Sequence, residues 1–154
     1  MILSGLSTTQ HMGEATPALD LLASMGRGPL EVECWWSPVD KIESPGWALG
    51  AHADVSKGWA VGGAGYSYRH TEAWTKDAVW LRAGVQHGGV KLMAAQDVKS
   101  HNRVSKLELR ARGRLGWLVL EPHAFAASYK QGAGRQVGYG VGLRLGVAFS
   151  GGVQ

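Results

Sequence analysis

A chain of 154 residues suits one domain with a sizeable core. Glycine is the outlier, at 23 residues beside seven Trp and two Phe, and the lone cysteine, Cys34, excludes an internal disulfide framework and a cysteine-based zinc site. The formal net charge of +4 is compatible with anionic partners such as lipopolysaccharide or nucleic acid, but it is too mild to require either.

The start, "MILSGLSTTQHMGEA", lacks the basic region, long apolar core and cleavage site of a secretory signal, and it reads as a flexible leader over residues 1–15. "TPALDLLASMG" then reads as a short helix. Thr16 can cap it, Pro17 suits the first helical position, Asp20 lies near the positive end and Gly26 suits the stop. Leu19, Leu22 and Met25 would share a face, as in a plug or lid packed on one end of the domain. The expected division is therefore 1–30, a leader with a short helix, and 31–154, a β-barrel domain.

From residue 31 the pattern becomes strand after strand, predicted at 31–36, 47–55, 59–68, 78–86, 90–97, 104–113, 117–128 and 136–149. Most are near the ~9–11 residues that a tilted strand needs to cross a bilayer. No apolar run approaches the ~18 residues of a transmembrane helix. The connections alternate in length: "SPVDKIESPG" and "RHTEAWTKD" are long, while "SKG", "HGG" and "RLG" are short. An up-and-down meander puts alternate turns at opposite ends, and long loops at one end with tight turns at the other is the habit of outer-membrane barrels. The expected fold is all-β, an eight-stranded up-and-down antiparallel β-barrel with a short N-terminal helix.

Period two gives each strand two unlike faces. In "WALGAHADV", Trp47, Leu49, Ala51, Ala53 and Val55 oppose Ala48, Gly50, His52 and Asp54. In "VSKLELRARGR", Leu107, Leu109 and Ala111 oppose Lys106, Glu108, Arg110, Arg112 and Arg114. Leu118 and Leu120 oppose Val119 and Glu121; Val141, Leu143, Leu145, Val147 and Phe149 oppose Gly142, Arg144 and Gly146. Alternation leaves the inside-out sense open. A soluble cup of the lipocalin kind would turn the apolar face inward, and a membrane barrel would turn it to lipid.

The polar faces are rich in glycine, which weakens an exposed strand but leaves room in a narrow lumen for long charged side chains. Asp54, Arg82, Lys106, Glu108, Arg110, Arg112, Glu121 and Arg144 are the expected lumen charge network, with the acids Asp54, Glu108 and Glu121 pairing the arginines. In the membrane sense Leu107, Leu109, Leu118, Leu120, Val141, Leu143, Leu145, Val147 and Phe149 would face lipid. Trp47, Trp59, Trp117 and Tyr129, near strand ends, would form interfacial girdles.

"GYGVGLRLGVAF" resembles the closing strand of small bacterial outer-membrane barrels, with its glycines, its alternating Leu143, Leu145 and Val147 and its final aromatic Phe149. "LEPHAFAASY", followed by a glycine loop, is similar to the penultimate strand of the outer-membrane protein A and Ail/Lom-like families. The resemblance covers roughly residues 47–149. It departs from the pattern where "SGGVQ" follows Phe149 and where the N-terminus shows no signal.

No histidine pair has metal-ligand spacing, and no cofactor is expected. "YRHTE" sets His70 beside Glu72 near a rim, with Ser67 and Ser128 conceivable as nucleophiles, but no motif supports them. "GYGVGL" lies inside a strand and opens no helix, so it fails as a phosphate loop. No stacking platform accompanies the Arg110–Arg112–Arg114 stripe, and no nucleic-acid partner is expected. The function expected is a non-enzymatic outer-membrane-type barrel that acts through its loops at 37–46, 69–77, 98–103 and 130–135, with outer-membrane lipid or lipopolysaccharide and a host-surface or virion protein as partners. Two alternatives stand beside it: a phage-encoded barrel carried in the virion, and a soluble barrel that binds a small ligand.

Overall fold

The computed structural model describes residues 2–11, 14–39, 46–72, 75–99, 104–131 and 134–148; the side chains of residues 2–20, Val39 and 129–131 fall outside that description. Its elements are all strands: β1 (Ile2–His11), β2 (Glu14–Arg27), β3 (Leu30–Val39), β4 (Gly46–Lys57), β5 (Ala60–Thr71), β6 (Thr75–His87), β7 (Val90–Asp97), β8 (Ser105–Ala111), β9 (Gly113–Leu115), β10 (Leu118–Gln131) and β11 (Gly134–Val147). Every pairing is antiparallel, and strands adjacent in sequence are adjacent in the sheet, apart from β8 and β9. Those two share one register on β10, with Arg110 opposite His123 and Gly113 opposite Leu120, so they are pieces of one strand position parted at Arg112. The sheet therefore has ten strand positions.

It curls until its first strand meets its last. β1 pairs with β11 from Ile2 opposite Val147 to Gln10 opposite Tyr139, and β11 pairs on its other side with β10. A closed antiparallel ring leaves no edge strand, so the backbone N–H and C=O groups of the wall find partners without water.

Two expectations are corrected here. The barrel is ten-stranded, not eight-stranded, and no N-terminal helix is present among the described residues. "TPALDLLASMG" lies within β2, where Leu22 faces Trp35 and Met25 faces Val32 across the β2–β3 pair, and residues 2–11 of the expected leader form β1. The apolar spacing of Leu19, Leu22 and Met25 fits a helix in isolation, but a short Ala/Leu segment carries no decisive period. Tertiary pairing settles it: β1 and β2 complete the ring, and a helix there would leave β3 and β11 with bare edges. The sheet accordingly runs without interruption across the expected boundary at 30/31.

The tight turns are built on glycine. Gly28, Gly58, Gly88 and Gly116 each open a two-residue turn with φ between 56° and 61°, where an L side chain is strained. In the first of them Pro29 fixes φ near −65° at the second position, which makes Gly28–Pro29 a turn of the II′ kind. All four turns lie at one end of the ring, beside Ile2 and Val147. The ends of β3 and β4 at Val39 and Gly46, and of β7 and β8 at Asp97 and Ser105, lie at the other.

Candidate functional site: a charged lumen within an apolar wall

The two faces of the sheet differ in the sense opposite to a soluble core. Along β4, Ala48, Gly50, His52 and Asp54 are buried while Leu49, Ala51, Ala53 and Val55 are exposed. Along β11, Gly138, Gly140 and Arg144 are buried, and Val137, Tyr139, Val141, Leu143 and Leu145 lie outside, Leu143 with 43% of its surface open. Among the described residues, ten buried side chains are polar or charged and six are hydrophobic. Leu22 and Val119 pack together inside the ring with Trp35 and Ala148 against them, a small apolar cluster in a polar interior.

The inward charges form one connected set. Arg82 Nε donates to Asp54 Oδ1 at 2.9 Å, and Lys91 Nζ reaches Asp54 Oδ2 at 2.7 Å and Glu31 Oε2 at 3.1 Å. Arg110 Nη1 donates to Glu33 Oε2 at 2.5 Å, and His52 Nε2 lies 2.7 Å from the same oxygen. Arg112 is the hub: Nη1 reaches Glu31 at 2.8 Å, Nη2 reaches Glu33 at 2.9 Å and Nε reaches Glu121 at 2.6 Å. Arg144 Nη1 holds the second oxygen of Glu121 at 2.8 Å. Glu108 lies 3.5 Å from Arg110 Nε and 3.7 Å from Lys106 Nζ, whose ammonium also sits 5.0 Å above the Phe125 ring. Carboxylates and guanidinium groups with so little water survive only when paired, because desolvating an ion costs several kcal/mol.

All eight charges named from the sequence as lumen residues face inward and join this set. Four members were missed: Glu31, Glu33, His52 and Lys91. Their signal was present. Glu31, Glu33 and Trp35 alternate with Val32, Cys34 and Trp36, and Lys91 shares parity with Met93, Ala95 and Asp97. Arg114, by contrast, is exposed near the Gly116 turn and bonds the Gly116 carbonyl at 2.7 Å.

Glycine makes the room. A Cβ on Gly63 would fall 2.3 Å from both Asp54 Oδ1 and the Ala53 carbonyl oxygen, and one on Gly50 would fall 2.7 Å from the Trp35 ring. Trp80 Nε1, also inward, donates to Ser67 Oγ at 2.8 Å.

Outside, Leu107, Leu109, Leu120, Val141, Leu143 and Leu145 are exposed, and Leu118 and Val147 are partly so. Phe149 lies outside the described residues. Trp59 and Trp117 stand exposed on their tight turns, and Trp47 packs at the opposite end against Tyr68 and His70, with ring centroids 5.6 Å apart in each case. The Tyr129 backbone pairs with Gln136, and its side chain lies outside the description. Alternation puts His70 on the outer face and Ser67 on the inner one, so these two are not brought together. A hollow of about 610 Å³ also lies on the outer wall, among Leu81, Ala83, Ala94, Leu107, Ala126 and Val137. With charges inside and apolar side chains outside, the lumen is not the apolar cup that the soluble ligand-binding alternative requires.

No family model and no curated protein matches this chain. Solved structures do. The chain is similar to the KdgM porin, with 15% identity and a TM-score of 0.48 over 96% of this chain and 99% of that one. It is also similar to an anion-selective porin from Comamonas acidovorans, with 14% identity and a TM-score of 0.40 over 86% of this chain. There it spans about half, 49%, of the porin's length.

Proposed function

We propose that this chain spans a bacterial outer membrane as a non-enzymatic β-barrel and acts at the surface through the connections opposite its tight turns. The observation that carries this reading is the inverted polarity of the sheet: a belt of exposed Leu, Val and aromatic side chains around a lumen of paired charges. In water each Å² of that belt would cost about 25 cal/mol, whereas in hydrocarbon it costs nothing. Ring closure supplies the other requirement of a membrane span, since lipid offers no hydrogen bonds to a bare edge.

Outer-leaflet lipid or lipopolysaccharide is the contact that fits the rim, where Trp47, Tyr68 and His70 cluster. The crossing ion pairs favour a barrel that conducts no ions at rest. Refolded protein should partition into detergent micelles and liposomes, and it should migrate differently on a denaturing gel before and after boiling. A monodisperse species that stays soluble without amphiphile would overturn the reading.

A further inference from the structure

We propose that the lumen is a latent ion path held shut by ion pairs between opposite walls, and that the charge of the ions it passes is set by which side of the latch is removed. This rests on the membrane-spanning reading above.

β3 and β8 stand across the ring from one another: going either way round, five strand steps separate them. Neighbouring strands lie only about 4.8 Å apart, so a contact between walls five steps apart crosses the bore. Arg110 on β8 nevertheless meets Glu33 on β3 at 2.5 Å, and Arg112 meets Glu31 and Glu33 at 2.8 and 2.9 Å. Lys91 on β7 adds a further crossing to Glu31. These residues lie in the half of the barrel nearest the tight turns. Toward the far end small inward positions, Ala48 and Gly50 on β4, Gly65 on β5, and Gly138 and Gly140 on β11, stand beside the larger inward side chains of Trp35, Trp80 and Phe125. Eight strands give an interior that side chains just fill, and ten give a wider one. Side chains alone fill a ten-stranded bore less completely, and the ion pairs between β3 and β8 supply contacts that span it.

The latch is also close to electrically balanced. Glu31, Glu33, Asp54, Glu108 and Glu121 face Arg82, Lys91, Lys106, Arg110, Arg112 and Arg144, five acids against six bases, with His52 between Glu33 and Asp54. Neutralising acids leaves a ring of uncompensated guanidinium groups, which attracts anions. Neutralising arginines at the same level leaves carboxylates, which attract cations.

The test compares wild type with Glu31→Gln, Glu31→Gln/Glu33→Gln, Arg112→Gln and Arg110→Gln/Arg112→Gln in planar bilayers under a potassium chloride gradient. Glu31 and Arg112 are the partly exposed members of the latch, so their single variants keep the test open should a double variant fail to fold. Insertion is read separately, from gel migration before and after boiling and from protease protection in liposomes; a chain that does not insert at all speaks against the membrane reading and not against the latch. Wild type should give no steady steps. The glutamate variants should conduct with a reversal potential on the anion side, and the arginine variants with one on the cation side. Silence in every inserted variant, the same sign in both series, or steady currents from wild type would overturn the proposal.

Discussion

At the scale of single residues, the lumen is a problem of volume as much as of charge. Gly63 and Gly62 are neighbours on β5 with opposite fates. A methyl group on Gly63 would collide with the Ala53 backbone and with the Asp54 carboxylate that holds Arg82 and Lys91, whereas one on Gly62 meets only the Arg82 carbonyl oxygen at 3.9 Å. Gly63→Ala should lower the urea midpoint of the refolded barrel, by an overpacking cost of about 1–3 kcal/mol, and Gly62→Ala should leave it within error. Charge gives a second contrast. Glu108→Ala removes the acid that lies 3.5 Å from Arg110 and 3.7 Å from Lys106, and taking a carboxylate away from a buried guanidinium is expected to cost about 1–3 kcal/mol. Lys99 sits at a rim, where its bond to Asp77 holds the ammonium pKa above its ordinary value, and it remains hydrated. Lys99→Ala should scarcely move the same midpoint. Equal effects from the two would mean that Glu108 is solvated and not part of a packed lumen.

At the scale of elements, the alternation of apolar and small or charged residues was enough to place eight of the ten strand positions, because each sets a two-residue period against a glycine turn. The strand predicted at 31–36 extends over Leu30–Val39, since pairing with β4 carries it through Pro38. β1 and β2 were not legible. "ILSGLSTTQH" has the Ser and Thr of a strand but no clear apolar face, and the segment after it offers helix caps at plausible positions. What makes them strands is remote: Leu6 finds Leu143 on one side and Leu19 on the other. Local sequence cannot report a partner more than a hundred positions away. The same limit applied to the charges: the inward parity of the named residues was readable, but the meeting of Glu33 with Arg110 depends on the number of strands in the ring. Deleting residues 2–11 should therefore do more than shorten the chain. It would strip partners from β2 and β11 together and expose two edges, so the truncated protein should aggregate on refolding instead of giving a smaller barrel. Size-exclusion chromatography in detergent would decide, and a monodisperse truncated monomer would count against closure through β1.

At the scale of the whole molecule, the inverted polarity makes a demand on every outward position at once. Leu143 lies mid-strand on the outer face of β11, between Val141 and Leu145, and Gly142 beside it points inward. An arginine facing lipid at the midplane costs about 2–4 kcal/mol. Leu143→Arg should therefore block insertion into liposomes, while Gly142→Ala should insert with a milder loss. A soluble barrel would reverse this pattern or flatten it, because a surface arginine is harmless in water. Liposome flotation of the two variants side by side separates the cases.

The adjacency of Ile2 and Val147, at the end where the glycine turns lie, means that the ring has no privileged starting point. A head-to-tail linker between the ends, with a new opening cut at Gly58–Trp59 or Gly88–Gly89, would keep every strand pairing while changing the order in which the hairpins emerge from synthesis. Any domain fused at either end would leave from the same rim. In a membrane-spanning barrel a fused domain would stand on the side of the tight turns, and the side from which a protease reaches it would report the orientation of the mount.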